Sequence, residues 1–243
     1  MIYVTVPGDT VSSISRQSGV PVWKIIYDNQ LGEEGELTVG QALLLLKPQE
    51  SAEIREDLYV TGYAYPFIEP YVLEMAFPAL NELLVFSYGF TFEGELVPPI
   101  QDETWMIQLA WENGIEPMLV LTPFTQGVFN NQLIQTLVEE ESVRENVITN
   151  LLKVVEEKGY VGVDVDFEYV RAQNREGYAE FVGELRAAMN EKGYRVSVAL
   201  APKTSSDQKG LLYEGIDYAL LGEQADRLFL MTYEWGYSYG PPM

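Results

Sequence analysis

The stretch Gly162-Val163-Asp164-Val165-Asp166-Phe167-Glu168-Tyr169 decides how this chain is read. Its two-residue period sends Val163, Val165 and Phe167 to one face of an extended strand, and Asp164, Asp166 and Glu168 to the other. The apolar face suits a covering layer of helices, so the acids point into a barrel or cleft. Neighbours in such a row lie ~6–7 Å apart at their Cα atoms. Three carboxylates in a confined interior are costly unless they share protons, hydrogen bonds or a cation, and that coupling lifts the pKa of at least one. A raised pKa is what a general acid near neutral pH needs. Glu168 stands at the C-terminal end of the strand, where barrel enzymes keep their active sites. Two other readings stay open here: an edge strand with a solvated polar face, and an all-oxygen site for Mg²⁺ or Ca²⁺.

Outward from this stretch, apolar runs alternate with helical patterns. Strands are expected at 59–65, 83–90, 116–122, 162–168, 195–201 and 227–233. Helices are expected near 68–80, 102–113, 128–158 (broken near 139–142), 173–192 and 214–224. Near-continuous apolar strands joined by helices imply a parallel sheet buried on both faces, hence a doubly wound sheet or a TIM barrel. The first strand is not followed by a glycine-rich phosphate loop, which disfavours nucleotide binding. A barrel needs eight strands and typically ~250 residues. The expectation is therefore an α/β fold, a TIM (β/α)8 barrel cut short after its sixth strand, over residues 58–243.

Residues 1–47 read as a separate βααβ module. A short strand runs into the turn Pro7-Gly8-Asp9-Thr10, two amphipathic helices follow, and an apolar strand after Gly40 closes the unit. Residues 48–57, Pro-Gln-Glu-Ser-Ala-Glu-Ile-Arg-Glu-Asp, form a polar linker. The chain carries 15 Lys and Arg against 37 Asp and Glu, a net charge of −22, and most of the acid lies beyond the linker. That balance disfavours nucleic acid and anionic lipid as partners. Cysteine and histidine are both absent from the 243 residues, which removes thiolate nucleophiles, Cys/His zinc sites and imidazole-based triads. Neither a membrane-spanning run nor a conventional signal peptide is expected.

Gly162-x-Asp164-x-Asp166-x-Glu168 resembles the strand-four signature of glycoside hydrolase family 18, usually written DGxDxDxE, with Val161 where many members have the first Asp. Met231-Thr232-Tyr233-Glu234-Trp235 is similar to the family's strand-six Met-x-Tyr-Asp, with Glu234 in place of the Asp. The resemblance implies a TIM barrel, no cofactor and no metal, and retaining hydrolysis assisted by the substrate. The sugar's 2-acetamido oxygen would attack the anomeric carbon, a recognised exception to the two-carboxylate scheme. Glu168 would protonate the glycosidic oxygen. Asp166 would hold the acetamido N–H, Asp164 would share a proton with Asp166, and Tyr233 would hydrogen-bond the acetamido group. Met231 and Glu234 would border the same site, and Tyr63, Tyr65, Phe86 and Tyr88 are candidates for stacking sugars or flooring the site.

The N-terminal module resembles a LysM domain through Val6-x-Gly8-Asp9-Thr10, Ile14, Gly19-Val20, Ile25-x-x-x-Asn29-x-Leu31 and Gly40-Gln41-x-Leu43. That resemblance implies binding of N-acetylglucosamine glycans, peptidoglycan or chitin, at Gly8, Asp9, Thr10 and Val11 and at Asn29, Gln30 and Leu31. A bland reading of single positions stands beside it: a turn at Gly8, a helix cap at Thr10, a helix stop at Asn29. Together the two parts resemble the germination-specific, cortex-lytic glycosidases of spore-forming bacteria. The expected activity is cleavage of N-acetylglucosaminyl bonds in spore cortex peptidoglycan, with localisation at the spore coat, cortex or cell wall. The alternatives are a chitinase-like hydrolase and a non-catalytic glycan-binding or coat protein.

Overall fold

The computed structural model describes residues 1–32, 35–46, 58–125 and 128–233, and the chain divides into two compact units, Met1–Leu58 and Tyr59–Met243. In the first, β1 (Ile2–Val4) pairs antiparallel with β2 (Ala42–Leu44) in the register Ile2 with Leu44 and Val4 with Ala42. Between them lie α1 (Val11–Ser18) and α2 (Val22–Asp28). Thr10 caps α1 in a reciprocal box with Ser13, satisfying two backbone donors that a helix start leaves open. Gly19 ends it at φ 75°, in the left-handed region where a side chain would be strained. Val11, Ile14, Val20, Ile25, Leu43 and Leu45 close a small core.

The second unit begins with β3 (Thr61–Ala64), α3 (Pro70–Ala76), β4 (Glu82–Phe90), β5 (Leu96–Val97), α4 (Thr104–Glu112) and β6 (Glu116–Leu121). A hairpin of β7 (Phe124–Thr125) and β8 (Val128–Phe129) precedes α5 (Asn131–Glu139) and α6 (Glu141–Lys158). Then come β9 (Gly162–Val165), α7 (Arg175–Glu191), β10 (Arg195–Leu200), α8 (Tyr218–Gln224) and β11 (Arg227–Leu230). Strands β3, β4, β6, β9, β10 and β11 lie side by side in chain order, all parallel, with β5 added antiparallel on β4. The outward residues of these strands and the inner faces of the helices share one large apolar core, which includes Val85, Leu119, Val163, Val165, Phe167, Phe181 and Leu185.

The sheet curls. Arg227 on β11 reaches Glu82 on β4 with Nη2 3.0 Å from Oε1. Four strand spacings separate them, ~19 Å in a flat sheet. Closing that gap requires the curvature of a barrel wall, as expected for a (β/α) barrel framework. At the N-terminal end of the strands, buried Glu82 accepts from Arg195 (3.1 Å), Arg227, Tyr59 (3.2 Å) and Thr61 (3.1 Å). Arg195 also donates to Glu116 at 2.6 Å, and the Arg227 guanidinium lies 4.8 Å from the centre of the Tyr59 ring. Glu82 and Glu116 face each other in register on adjacent strands, so the two guanidinium groups offset a like-charge pair that would otherwise repel. Above this ionic layer sit Leu84, Met118 and Val120, with Tyr63, Phe86 and Val161 against them.

Candidate active site

Strand β9 carries the acid row, and its face assignment follows the two-residue period. Val163, Val165 and Phe167 enter the outer core, while Asp164 is fully buried on the inner side. Gly162 opens the strand because the Arg195 backbone lies where a Cβ would stand. Regular pairing stops at Val165, although the Asp166 N–H still donates to Leu121 O at 2.9 Å. Asp166 is 5% exposed, and Glu168 is half-buried. Tyr169, at φ 59°, turns the chain away directly after Glu168, a conformation that costs free energy in a residue with a side chain.

The two aspartates differ in their surroundings. Tyr63 on β3 donates its hydroxyl to Asp164 Oδ2 at 2.7 Å, and Ser197 on β10 donates to Oδ1 through a short hydrogen bond. Burial pushes the Asp164 carboxyl up to about 6, held from going further by those two donors; Glu82 below raises it and Arg227 lowers it. Asp166 has no such pair of donors, and its buried Oδ1 finds no hydrogen-bond partner among the described residues. Burial, then the charges of Asp164 and Glu168, push Asp166 up to about 8. The Tyr63 hydroxyl is held protonated by burial and by Asp164. The interior therefore contains an acid that retains its proton at neutral pH beside one that is better hydrogen-bonded as an anion.

Aromatic side chains wall the C-terminal end of β3 and β4. Tyr65 stacks on Phe67 at 4.9 Å between ring centres and meets Phe86 at 4.8 Å; Tyr63 packs edge-on against Phe229 at 5.3 Å. Tyr233 lies 6.5 Å from Phe229 and is about half exposed, and Met231 is half-buried after β11. Of the expected site residues, Asp164, Asp166, Glu168, Tyr63, Tyr65, Phe86, Met231 and Tyr233 gather around this end of the strands. Glu234 lies outside the described residues.

Tyr88 does not join them. The pairing of β4 with β6 shifts register between Val85 and Tyr88, so the face alternation slips by one residue and Tyr88 turns outward under the helices. There its hydroxyl donates to buried Glu103 at 2.5 Å, which also accepts from Lys158 at 2.6 Å. Sequence reasoning grouped Tyr88 with Phe86 as a stacking or floor residue, and the irregularity separates the two. It also passed over Ser197, which the alternation of Arg195–Leu200 does place inward between Val196 and Val198, and over Phe67 and Phe229. Among the described residues no three carboxylates converge as metal ligands.

In the first unit the expected glycan-binding residues are largely engaged within the fold. Asp9 accepts from the Val6 N–H (2.8 Å) and the Tyr3 hydroxyl (2.9 Å), Thr10 caps α1, and Val11 is buried. Asn29 bridges to both backbone groups of Leu44 and to Ile25 O. Gly8 (φ 93°) and Gln30 (φ 48°) make left-handed turns, and Leu31 packs beside the small core. Trp23 and Tyr27, one helical turn apart on α2, are each 66% exposed.

Comparison with known proteins agrees with this architecture. Residues 127–240 match the model of the glycosyl hydrolases family 18, and residues 3–45 match that of the LysM domain. A cortical fragment-lytic enzyme of Bacillus subtilis is 37% identical over 168 residues, 69% of this chain and 38% of that protein. The crystal structure of the Bacillus cereus spore cortex-lytic enzyme SleL superposes with a TM-score of 0.72 at 31% identity, covering all of this chain and 56% of that one. A chitinase from Chromobacterium violaceum shares the fold at 22% identity (TM-score 0.67, covering 74% of this chain and 57% of that one). This chain thus spans about two fifths to just over half the length of these relatives. Its first unit is similar to a LysM domain and its second, in part, to the glycosyl hydrolases family 18, and over both it resembles the spore cortex-lytic enzymes of Bacillus.

Proposed function

We propose that this chain contributes the LysM module and the acid-bearing strands of a glycosidase that cleaves N-acetylglucosaminyl bonds in spore peptidoglycan, at the cortex or cell wall. Glu168 donates its proton to the glycosidic oxygen as the bond to the anomeric carbon breaks. The acetamido oxygen of the same sugar forms the replacement bond, giving a cyclic oxazolinium ion that water then opens with retention, the water's proton passing to the Glu168 carboxylate. Asp166 holds the acetamido N–H, the negative charge of the Asp164–Asp166 pair, which shares one proton, balances the positive charge of that ion, and Tyr233 orients the acetamido group. Tyr63 acts through Asp164; Tyr65 and Phe86 form the aromatic wall against the sugar. The single observation that carries this reading is Asp166: buried, its Oδ1 lacking a hydrogen-bond partner among the described residues, and flanked by Asp164 and Glu168. An N–H brought by the substrate would satisfy that oxygen, and the resulting bond strengthens as charge develops. The LysM module holds the chain on the insoluble glycan and raises the local concentration of bonds to cleave.

The test is Glu168→Gln in the full chain. The change keeps size and removes the transferable proton, so hydrolysis of cortex fragments and N-acetylglucosamine oligomers should fall by about 10²–10⁴-fold while glycan binding is retained. Activity within tenfold of the parent would refute the assignment.

A further inference from the structure

The chain leaves β10 at the same end of the sheet as the acid row, and the segment 201–217 that joins it to α8 is tied around one lysine. Lys203 Nζ donates to three backbone carbonyls: Ile216 O at 2.8 Å, Ser206 O at 3.1 Å and Tyr213 O at 3.2 Å. An ammonium has three N–H donors, so this geometry uses its full capacity. The backbone N–H of Lys203 donates to the Tyr218 hydroxyl (2.8 Å), which donates in turn to Ala201 O (2.6 Å). The ammonium also lies 6.0 Å from the centre of the Tyr218 ring. The exit of β10, the loop and the first residue of α8 are thus fastened to one another.

Two of the three carbonyls, Tyr213 O and Ile216 O, lie on either side of Gly215 along the chain. That glycine rests against the turn that follows Glu168: an added Cβ would fall on the Val170 carbonyl and stand 2.7 Å from the Val170 Cβ. Val170 is completely buried, and both it and Ile216 belong to the large core. Between Val170 and Glu168 stands only Tyr169, at φ 59°. A residue with a side chain stays in that region only where its surroundings fix it. One anchor of the turn is Arg171, which donates to Gln135 (2.7 Å) and Asn131 (3.1 Å) of α5. The other is Gly215, and behind Gly215 stands Lys203.

We propose that Lys203 is a positioning residue for Glu168: by gathering the carbonyls on both sides of Gly215 it seats that glycine against Val170, and so fixes the turn that aims the Glu168 carboxyl. The proposal rests on the catalytic reading above and adds to it a support for the proton donor that lies outside the acid row. A displacement of about 1 Å in a reacting group can cost on the order of a hundredfold in rate. A lysine whose donors are all engaged within the protein therefore governs turnover without touching a sugar.

The experiment is Lys203→Cys in the full chain, measured before and after aminoethylation of the thiol. These 243 residues contain no cysteine, so alkylation is confined to this position and returns an ammonium on a side chain of lysine's length. With the free thiol, kcat on cortex fragments should fall by about 10- to 100-fold while KM stays within about threefold, because the aim of the donor bears on the transition state and not on ground-state binding. Aminoethylation should restore most of kcat. Gly215→Ala keeps the lysine but pushes on the Val170 backbone, and it should reproduce the loss. A parent-like kcat in either variant would overturn the proposal, as would a loss that aminoethylation does not restore. A lysine that only stabilises the fold would lower Tm and leave kcat per folded molecule unchanged, which overturns it too. The backbone resonances of Glu168, Tyr169 and Val170, followed by NMR, need no turnover and separate the two ideas. If they move in Lys203→Cys and return on aminoethylation while the parent hydrolyses no glycan, the catalytic reading falls and the Lys203 support stands. An active parent whose resonances do not move in the variant keeps the catalytic reading and loses the support.

Discussion

Replacing Glu82 with leucine tests whether the ionic layer at the N-terminal end of the strands holds the barrel wall in its curve. The change removes the shared acceptor of two guanidinium groups, a tyrosine and a threonine from a site only 2% exposed. Breaking a buried ion pair by removing one partner typically costs 3–5 kcal/mol. Here the arginines retain some compensation. Their side chains are 34% and 36% exposed, Arg195 still has Glu116, and Arg227 still lies over Tyr59. The lower end, about 3 kcal/mol, is therefore expected. For a unit of this size that corresponds to a fall in Tm of about 6–12 °C. Urea titration followed by circular dichroism would give the free energy, and a thermal scan the shift. Glu82→Leu combined with Arg227→Met removes the stranded cation as well and should recover a good part of the loss. A loss below about 1 kcal/mol, or a double variant worse than the sum of the singles, would refute the argument. The same layer bears on the acid row: removing Glu82 should lower the Asp164 pKa, and removing Arg227 should raise it.

The aspartate pair also predicts a pH dependence of stability. Folded pKa values raised to about 6 and about 8 mean that the stabilisation from burying the protonated acids is full below their unfolded values and is lost as pH rises through 6 and then 8. Glu116 and Asp226, whose pKa values are lowered, act oppositely and lose their contribution as pH falls below the ordinary carboxylate range. The Tm should thus decline between pH 5 and 8, and Asp166→Asn should flatten that decline; an unchanged slope would place the buried proton elsewhere. Tyr88→Phe should cost about 1–3 kcal/mol by leaving Glu103 short of a donor, with glycan affinity untouched. A selective loss of affinity without loss of stability would return Tyr88 to the cleft. Asn29→Ala should lower the melting temperature of the first unit by removing its bridge to Leu44. Weaker glycan retention at unchanged stability would show Asn29 to be a contact residue instead.

Much of this was legible because the parallel sheet writes itself in apolar runs. The six barrel strands fall at the stretches expected to be extended, five of them rich in Val or Leu, and the break between α5 and α6 falls at Glu140, inside the stretch where the helical pattern weakens. The row Asp164–Glu168 showed its inward face by simple alternation. Tyr88, expected beside Phe86, was misplaced because a register shift that leaves no mark in composition reverses the faces. The short strands β5, β7 and β8 carry two residues each, too few for any period to appear. Ser197 was hidden for another reason: a small hydroxyl among valines reads as filler until its register opposite Asp164 is known. Strand lengths were overestimated at the C-terminal ends, since Asp166 and Glu168 continue the alternating pattern after ladder pairing with both neighbours has ceased.

The strictly sequential order of the strands has a consequence for how the molecule is made. Each barrel strand docks on the one synthesised before it, so the sheet grows at a single edge. Strand β9 can pair with β6 while β10 is still unborn, and Ser197 follows Asp164 by 33 residues. At ribosomal rates of ~5–20 residues per second, the acid row faces water on the growing edge for roughly 2–7 s. During that interval Asp164 and Asp166 are hydrated and ionised, and two negative charges on an otherwise apolar edge repel any second nascent chain that would pair there. The carboxylates thus first act as gatekeepers against aggregation, and Asp166 gives up its charge when β10 arrives to bury the row.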